Sequence, residues 1–396
     1  MKNKIRIGYL ILLNFLFFLV ISSPFTFSSE VSTDFELGHQ FSYRSVDDRI
    51  TRNYLYFLPK AEYSDESYTL IGSVRGSWDK AWDMEVRELS GTLNRNQIKF
   101  QLGFQEVAWG ETFGFYPADL VNPRDYSDPL ITDLGWIRKP VFAFNSQIFL
   151  NRLTFQAVIT PVPRQVEVPT RVRSVQLMIE KPEAFQLSDF GKDAEFGGKS
   201  SYLFESGLDL GLLYYRHWNR NPVYEVHLKN GELILIPIVN QVHSFGTTLS
   251  QSSESWVFRA DSVLTLDQPK STANFGPVQI ANQWQTIFGT DWSMSQGITL
   301  GAQYHTDWTS GDFLNWISLR ANYKSPSGSW EPEFFVFRGV NNSDFWVQPK
   351  LTWNMTFRTT LSIRADLLWG GVQMQDGVLG LFRDENRVLS WIAYKW

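Results

Sequence analysis

The sequence predicts an all-β protein, a transmembrane antiparallel β-barrel of about 18 strands with an inward-folded loop. Three observations carry this. Segments of about ten residues alternate apolar and polar side chains, Trp and Tyr gather at the ends of those segments, and an export signal is followed by no helical membrane span.

The chain has 396 residues, no cysteine, 16% aromatic residues and only 19% charged ones, a balance that leans towards the cell envelope. It opens with MKNKIRIG, placing Lys2, Lys4 and Arg6 ahead of the apolar run YLILLNFLFFLVI and the small and polar SSPFTFSSE. This is the layout of a secretory signal peptide. The run is short of the roughly 20 residues that a membrane-spanning helix needs, so cleavage after Thr26-Phe27-Ser28 is expected. That gives a signal peptide at 1–28 and one barrel domain at 29–396. Removing 1–28 takes away three bases and no acid, leaving 33 Lys and Arg against 41 Asp and Glu, a net charge of −8 that disfavours a nucleic-acid partner. The longest later apolar run, LILIPIV, is β-branched and broken by Pro237. An exported chain without a spanning helix is soluble or a closed barrel.

Alternation recurs along the chain. QIKFQLGF sets Ile98, Phe100, Leu102 and Phe104 against Lys99, Gln101 and Gln105. GITLGAQYHTDW sets Ile298, Leu300, Ala302, Tyr304 and Trp308 against Thr299, Gln303, His305 and Asp307. TTLSIRADLLW sets Leu361, Ile363, Ala365, Leu367 and Trp369 against Ser362, Arg364 and Asp366. A soluble sandwich also alternates. Aromatics at strand ends, among them Trp78, Trp82, Trp256, Trp292, Trp330, Trp353 and Trp369, favour the two interfacial girdles of a membrane barrel.

Strands are expected near 33–44, 50–58, 67–78, 81–92, 97–106, 139–150, 152–161, 194–205, 207–217, 237–250, 254–266, 278–293, 297–308, 312–324, 329–338, 344–354, 359–369 and 387–396. Without the segments near 50–58 and 81–92 the count is 16. If the last strand descends to the periplasm, every connection on that side is short, and 107–138, 162–193, 218–236, 267–277 and 370–386 fall outside. VYEVHLKNGELILI reads as a hairpin about Asn230-Gly231, standing above the rim.

A barrel of this size leaves an aqueous lumen unless something fills it. Alternation directs Arg75, Asp83, Glu85, Arg87, Lys99, Arg259, Asp261, Arg320, Lys350, Arg364 and Asp366 inward, a wettable lining of both signs. The connection 107–138, rich in Gly, Pro and Asp, has a net charge of −3. Folded inward it would form a constriction bearing Trp109, Glu111, Asp119, Asn122, Arg124, Asp125, Asp133 and Arg138. The other reading is a structural plug whose Asn-Pro and Asp residues cap turns.

Trp109-Gly110-Glu111, followed by Asp119, Asn122, Pro123 and Asp125 in the pattern Asp-x-x-Asn-Pro-x-Asp, resembles a porin-like outer-membrane family of unknown function. The resemblance continues through GLDLGLLYYRHWNRNPVYEV and SWVFRADSVLTL to the closing FRDENRVLSWIAYKW. It implies an outer-membrane barrel, distantly like the alginate-export and substrate-specific porins, with a terminal aromatic read by the assembly machinery. The family's Gly-Arg-Gln before the tryptophan is here Gly103-Phe104-Gln105.

The expected function is a porin-like channel for passive diffusion of small polar or acidic solutes, in the outer membrane of a Gram-negative-type bacterium. Its partners would be outer-membrane lipid and lipopolysaccharide, and transiently the barrel assembly machinery; the sequence leaves the oligomeric state open. A polysaccharide export conduit and a non-conducting surface adhesin or scaffold are the alternatives. An enzyme is disfavoured: the five histidines lack metal-ligand spacing, no Gly-x-Ser-x-Gly elbow occurs, and adjacent His243 and Ser244 point to opposite faces of a strand. No cofactor or metal is called for.

Overall fold

The computed structural model describes residues 30–396 except 45–48, 79–81, 113, 126–129, 131–136, 165–190, 220–222, 230–231, 273–275, 295, 371–378 and 380–384. The expected signal peptide therefore lies outside the described residues. Twenty strands are present among the described residues. The first nine are β1 (Glu30–Arg44), β2 (Arg49–Ser64), β3 (Tyr68–Trp78), β4 (Trp82–Arg95), β5 (Ile98–Gln105), β6 (Val141–Leu150), β7 (Leu153–Thr160), β8 (Glu195–Leu203) and β9 (Leu208–Trp218). A separate hairpin follows, β10 (Val223–Lys229) and β11 (Glu232–Ile238). The rest are β12 (Gln241–Ser253), β13 (Trp256–Thr272), β14 (Gly276–Ser293), β15 (Ile298–Thr309), β16 (Asp312–Tyr323), β17 (Trp330–Gly339), β18 (Phe345–Asn354), β19 (Thr359–Trp369) and β20 (Arg387–Lys395).

Eighteen strands form one antiparallel sheet that closes on itself, because β1 pairs with β2 on one side and with β20 on the other. Closure removes every free edge. Trp396 completes it: its backbone N–H donates to Phe35 O at 2.8 Å, and its ring meets Phe35 edge-on.

Alternation became wall chemistry as expected, with apolar residues outward and polar ones inward. On β5, Ile98, Phe100 and Leu102 are exposed while Gln105 is buried; on β19, Ile363, Leu367 and Trp369 are exposed while Ser362, Arg364 and Asp366 are buried. On β20, Val388 and Ile392 face out, and Arg387 and Leu389 face in. Aromatics face one another across neighbouring strands at both ends of the barrel. At the rim carrying the chain ends, Trp256 stacks on Trp292 and Trp330 on Trp353, at 5.3 and 5.0 Å between centroids. At the other rim the pairs are Trp78 with Trp82, Trp284 with Trp308 and Phe345 with Trp369.

The segments near 50–58 and 81–92 are strands, which gives eighteen. The first runs on to Ser64 because Pro59, which reads as a break, sits in the wall opposite Phe35 while the β2–β3 ladder skips Leu58 and Pro59. Connection 267–277 is mostly strand. Asp267 takes φ 60° in a bulge between Thr265 and Gln268, after which β13 and β14 continue past the rim. The hairpin about 230–231 forms, with Lys229 opposite Glu232, and β10 lies against β13 and β14.

Gly103 is where the loop-bearing end of the β4–β5 ladder tightens. At φ 129°, a Cβ there would stand 2.1 Å from Leu89 O. Gly103→Ala is therefore expected to cost about 1–3 kcal/mol. Urea midpoints from heat-modifiable gel mobility test this, and an unchanged midpoint contradicts it.

Candidate functional site

Loop 106–140 leaves the wall between β5 and β6 and turns into the lumen. Asn122 staples its two roots: Oδ1 accepts from the Val107 N–H at 2.6 Å, and Nδ2 donates to Gln105 O at 3.2 Å and Lys139 O at 2.8 Å. A second device seats Trp109. Lumen-facing amides run across β5, β6 and β7, with Asn145 Nδ2 donating to Gln105 Oε1 at 2.9 Å and Gln156 Nε2 to Asn145 Oδ1 at 3.0 Å. Gln156 Oε1 then accepts from the Trp109 indole at 2.9 Å. The ring, only 1% exposed, packs edge-on against Tyr215 at 5.4 Å, in a cluster with Val107, Leu120, Val121, Val158 and Val263. A tryptophan is well placed there, since it combines a large apolar ring with one donor that finds a partner.

Beyond Trp109 the first arm of the loop follows the wall to β13. Buried Asp261 accepts from the Glu111 N–H at 3.1 Å, the Thr112 N–H at 3.3 Å and Thr112 Oγ1 at 2.8 Å. Lys199 on β8 holds the Trp109 carbonyl at 2.7 Å and Glu111 Oε1 at 3.2 Å. The arm ends on Phe115, which stacks on Phe337 of β17 at 5.0 Å and lies against His305 of β15 at 5.1 Å. It then returns through Asp119, which accepts the Trp109 N–H at 3.1 Å and pairs with Arg138. Arg124 donates to Tyr116 O at 2.7 Å, and the Arg124 and Arg138 guanidiniums lie 5.5 and 5.9 Å from the Tyr116 ring centre. Burial pushes the Tyr116 phenol above its ordinary value, so it stays a neutral donor.

Leu130 of the loop also reaches the far wall. Leu130 is buried with Trp316, Phe335, Phe337, Trp346 and Leu368, and its carbonyl accepts from Arg364 at 3.4 Å. In the ring of eighteen, β16 lies eight strands from β6, and β17 eight strands from β5 in the opposite direction. The loop is therefore anchored at its roots and again on the facing wall, crossing the lumen.

The wall beside the roots is charged. Glu85 on β4 pairs with Arg75 and lies 3.5 Å from Arg87, 3.1 Å from Lys139 and 2.7 Å from Arg164. Lys139 also holds Asp125 at 2.9 Å, and Arg87 holds Glu106. Glu106 sits just past β5; burial pushes its carboxyl above the usual carboxylate pKa, against the lowering effect of Arg87. On the far side buried Asp366 takes Arg364 at 3.1 Å and Arg387 at 2.8 Å.

Of the expected constriction residues, Trp109, Glu111, Asp119, Asn122, Arg124, Asp125 and Arg138 all belong to this inward loop, and most of their polar atoms hold it in place. Asp133 lies outside the described residues. Of the expected lining residues, Arg75, Glu85 and Arg87 form the cluster above, Arg259 pairs with Asp291, and Asp261, Arg364 and Asp366 anchor the loop or its far wall. Asp83 is exposed at the upper rim, and Lys99 and Arg320 are half-buried. Phe115, Lys139, Arg164 and Lys199 are additions. Only Lys199 had a sequence signal, its inward parity on β8.

Cavities lie beside the loop root at Glu106 and under its first arm. One of about 390 Å³ is lined by Tyr56, Ser73, Arg75, Arg87, Glu88 and Glu106 among others. The other, about 100 Å³, lies between Phe115–Arg124 and the wall of β9 and β13–β15. No group of acidic or histidine side chains able to hold a metal occurs among the described residues.

A solved structure of OpdK from Pseudomonas aeruginosa, an outer-membrane protein, superposes on this chain with a TM-score of 0.55, covering 93% of this chain and 99% of its own at 11% identity. The fold is that of an outer-membrane porin. OccD3 (OpdP) of the same organism matches with TM-score 0.54 and 8% identity over 92% of this chain and 91% of its own. OccK5 (OpdH) gives 0.54 and 9% over 92% and 98%. OpdK was also solved with vanillate, in a structure with TM-score 0.54, 11% identity and coverage of 93% and 98%. No family model matches the sequence, and no curated protein matches it.

Ser244 and His243 do point apart: His243 lies with Tyr214 on the outer side, while Ser244 is buried against His217 Nε2 at 2.9 Å. That pair resembles a nucleophile and base. With Ser244 Oγ fully buried and also bonded to Thr265 Oγ1 at 2.8 Å, it ties β9, β12 and β13 together.

Proposed function

We propose that this protein is an outer-membrane channel for passive diffusion of small polar or acidic solutes, with loop 106–140 as its constriction. The carrying observation is the loop's double anchorage. An eighteen-stranded barrel would otherwise enclose a broad aqueous bore, and a segment tied to both walls narrows it to flanking openings. The larger opening is lined by Arg75 and Arg87, which Glu85 and Glu106 hold, so its wall is polar and carries both signs. The vanillate held by the structurally similar OpdK makes aromatic carboxylates reasonable first solutes to try.

In this reading, residues 1–28 direct export and are removed. The assembly machinery recognises the aromatic last strand, and the apolar outer belt meets lipid and lipopolysaccharide. A polysaccharide export conduit fits less well, because a loop crossing the bore leaves no clear path for a polymer. Deleting residues 112–134, which carry both far-wall contacts, is expected to raise single-channel conductance in planar bilayers; equal conductance would sink the constriction. A sealed wild-type barrel would instead favour the adhesin or scaffold reading.

A further inference from the structure

Chemistry differs sharply between the two sides of the loop. The larger cavity is bounded by arginines and glutamates, of which Arg87 is buried. The smaller one is faced by His217, Thr265, Gln268, Gln283, Gln285 and His305. Its two charged liners belong to the loop and are engaged there, Asp119 with Arg138 and Arg124 with the Tyr116 carbonyl. Gln283 and Gln285 both donate through Nε2 to Asp307 at 2.8 Å, so each amide is held with its carbonyl oxygen turned from that carboxylate. His305 is sandwiched between Phe115 and Trp316, at 5.1 and 5.0 Å. It is 7% exposed, yet neither ring nitrogen has a hydrogen-bond partner.

A buried imidazole with both nitrogens unengaged is costly unless something from the lumen meets them. Neutral imidazole offers one donor and one acceptor, and the oriented amides offer acceptors. A hydroxyl group, which both donates and accepts, complements that set. Phe115 and Tyr116 add ring faces against which C–H groups can lie. A cation entering would lose hydration with the one lining carboxylate, Asp119, already held by Arg138. The volume, about 100 Å³, takes several waters or one small solute.

We propose that this cavity is a subsite for uncharged polyhydroxylated solutes, glycerol or a single sugar ring, on a second route separated by the loop from the charged one. The proposal rests on the channel reading above. Its test is liposome swelling with ribose and glycerol against acetate and glycine. The double variant Gln285→Leu with His305→Phe should slow ribose by a factor of about 2–10 for each hydrogen bond lost, with acetate unchanged. Ser73→Trp, filling the charged cavity, should slow acetate and leave ribose unchanged. Ribose unchanged in the double variant, or both solutes falling together in it, overturns the second route. If the double variant does not fold, wild-type current should show brief ribose-induced interruptions competed by glycerol and not by acetate; their absence also overturns it. Wild-type liposomes that swell with no solute fail the channel reading itself, a distinct result.

Discussion

Glu85→Gln should turn the channel towards anions and weaken the barrel near the loop roots. The Glu85 carboxylate is shared by Arg75, Arg87, Lys139 and Arg164. These cations come from β3, β4 and the two long loops that follow β5 and β7, so one carboxylate ties four parts of the chain together. Replacing it by an amide keeps the volume and removes the charge, leaving Glu106 and Asp125 as the nearby anions. Breaking a buried ion pair costs roughly 3–5 kcal/mol, and contact with the wet lumen places this case at the lower end. Two measurements follow. Under a KCl gradient the reversal potential should move towards that of chloride, and the urea midpoint should fall. A reversal potential equal to wild type would mean that permeating ions do not sense this cluster.

Asp261→Ala should unlatch the first arm of the loop while sparing the barrel. Three donors from Glu111 and Thr112 converge on this carboxylate, and neither of the two N–H groups has another acceptor at hand. Thr112 Oγ1 also reaches Phe115 O at 2.9 Å. Leaving a buried donor unmatched costs about 1–3 kcal/mol, enough to favour a detached, hydrated arm. The expected record is a noisier open-channel current with a higher mean, and faster proteolysis within 107–140, at an unchanged urea midpoint. Currents of the variant as quiet as those of wild type would show that Trp109 and Asn122 hold the arm unaided. The two variants separate charge from position, because only the first should alter ion preference strongly.

The barrel was readable because a membrane wall enforces a period of two on every strand, and Ile98–Phe104 or Leu361–Trp369 display it without interruption. Strand ends were less readable where proline lies inside the wall. Pro59 and Pro269 look like terminators, yet closure and a bulge carry β2 and β13 past them. Parity also slips at the irregularity between Ser73 and Val74, after which Ser90 and Thr92 face inward in place of the odd-numbered positions before it. The loop was recognisable by length and composition. Its residues' individual tasks were not, because Asp119 and Asn122 find partners through folding of the loop on itself, and Phe115 finds His305 and Phe337 only across the lumen. Partners so remote in sequence leave no local pattern.

The Asn122 staple has a consequence for how such a channel can change. It grips backbone atoms of Val107, Gln105 and Lys139, so its hold depends little on the side chains at those positions or on the residues further along either arm. The neck of the loop is thus insulated from its tips. Substitutions near Phe115 or Leu130 can accumulate and alter what passes without unseating the segment from the wall. Diversification of the filter and preservation of the fold become separate evolutionary problems, divided at a single asparagine.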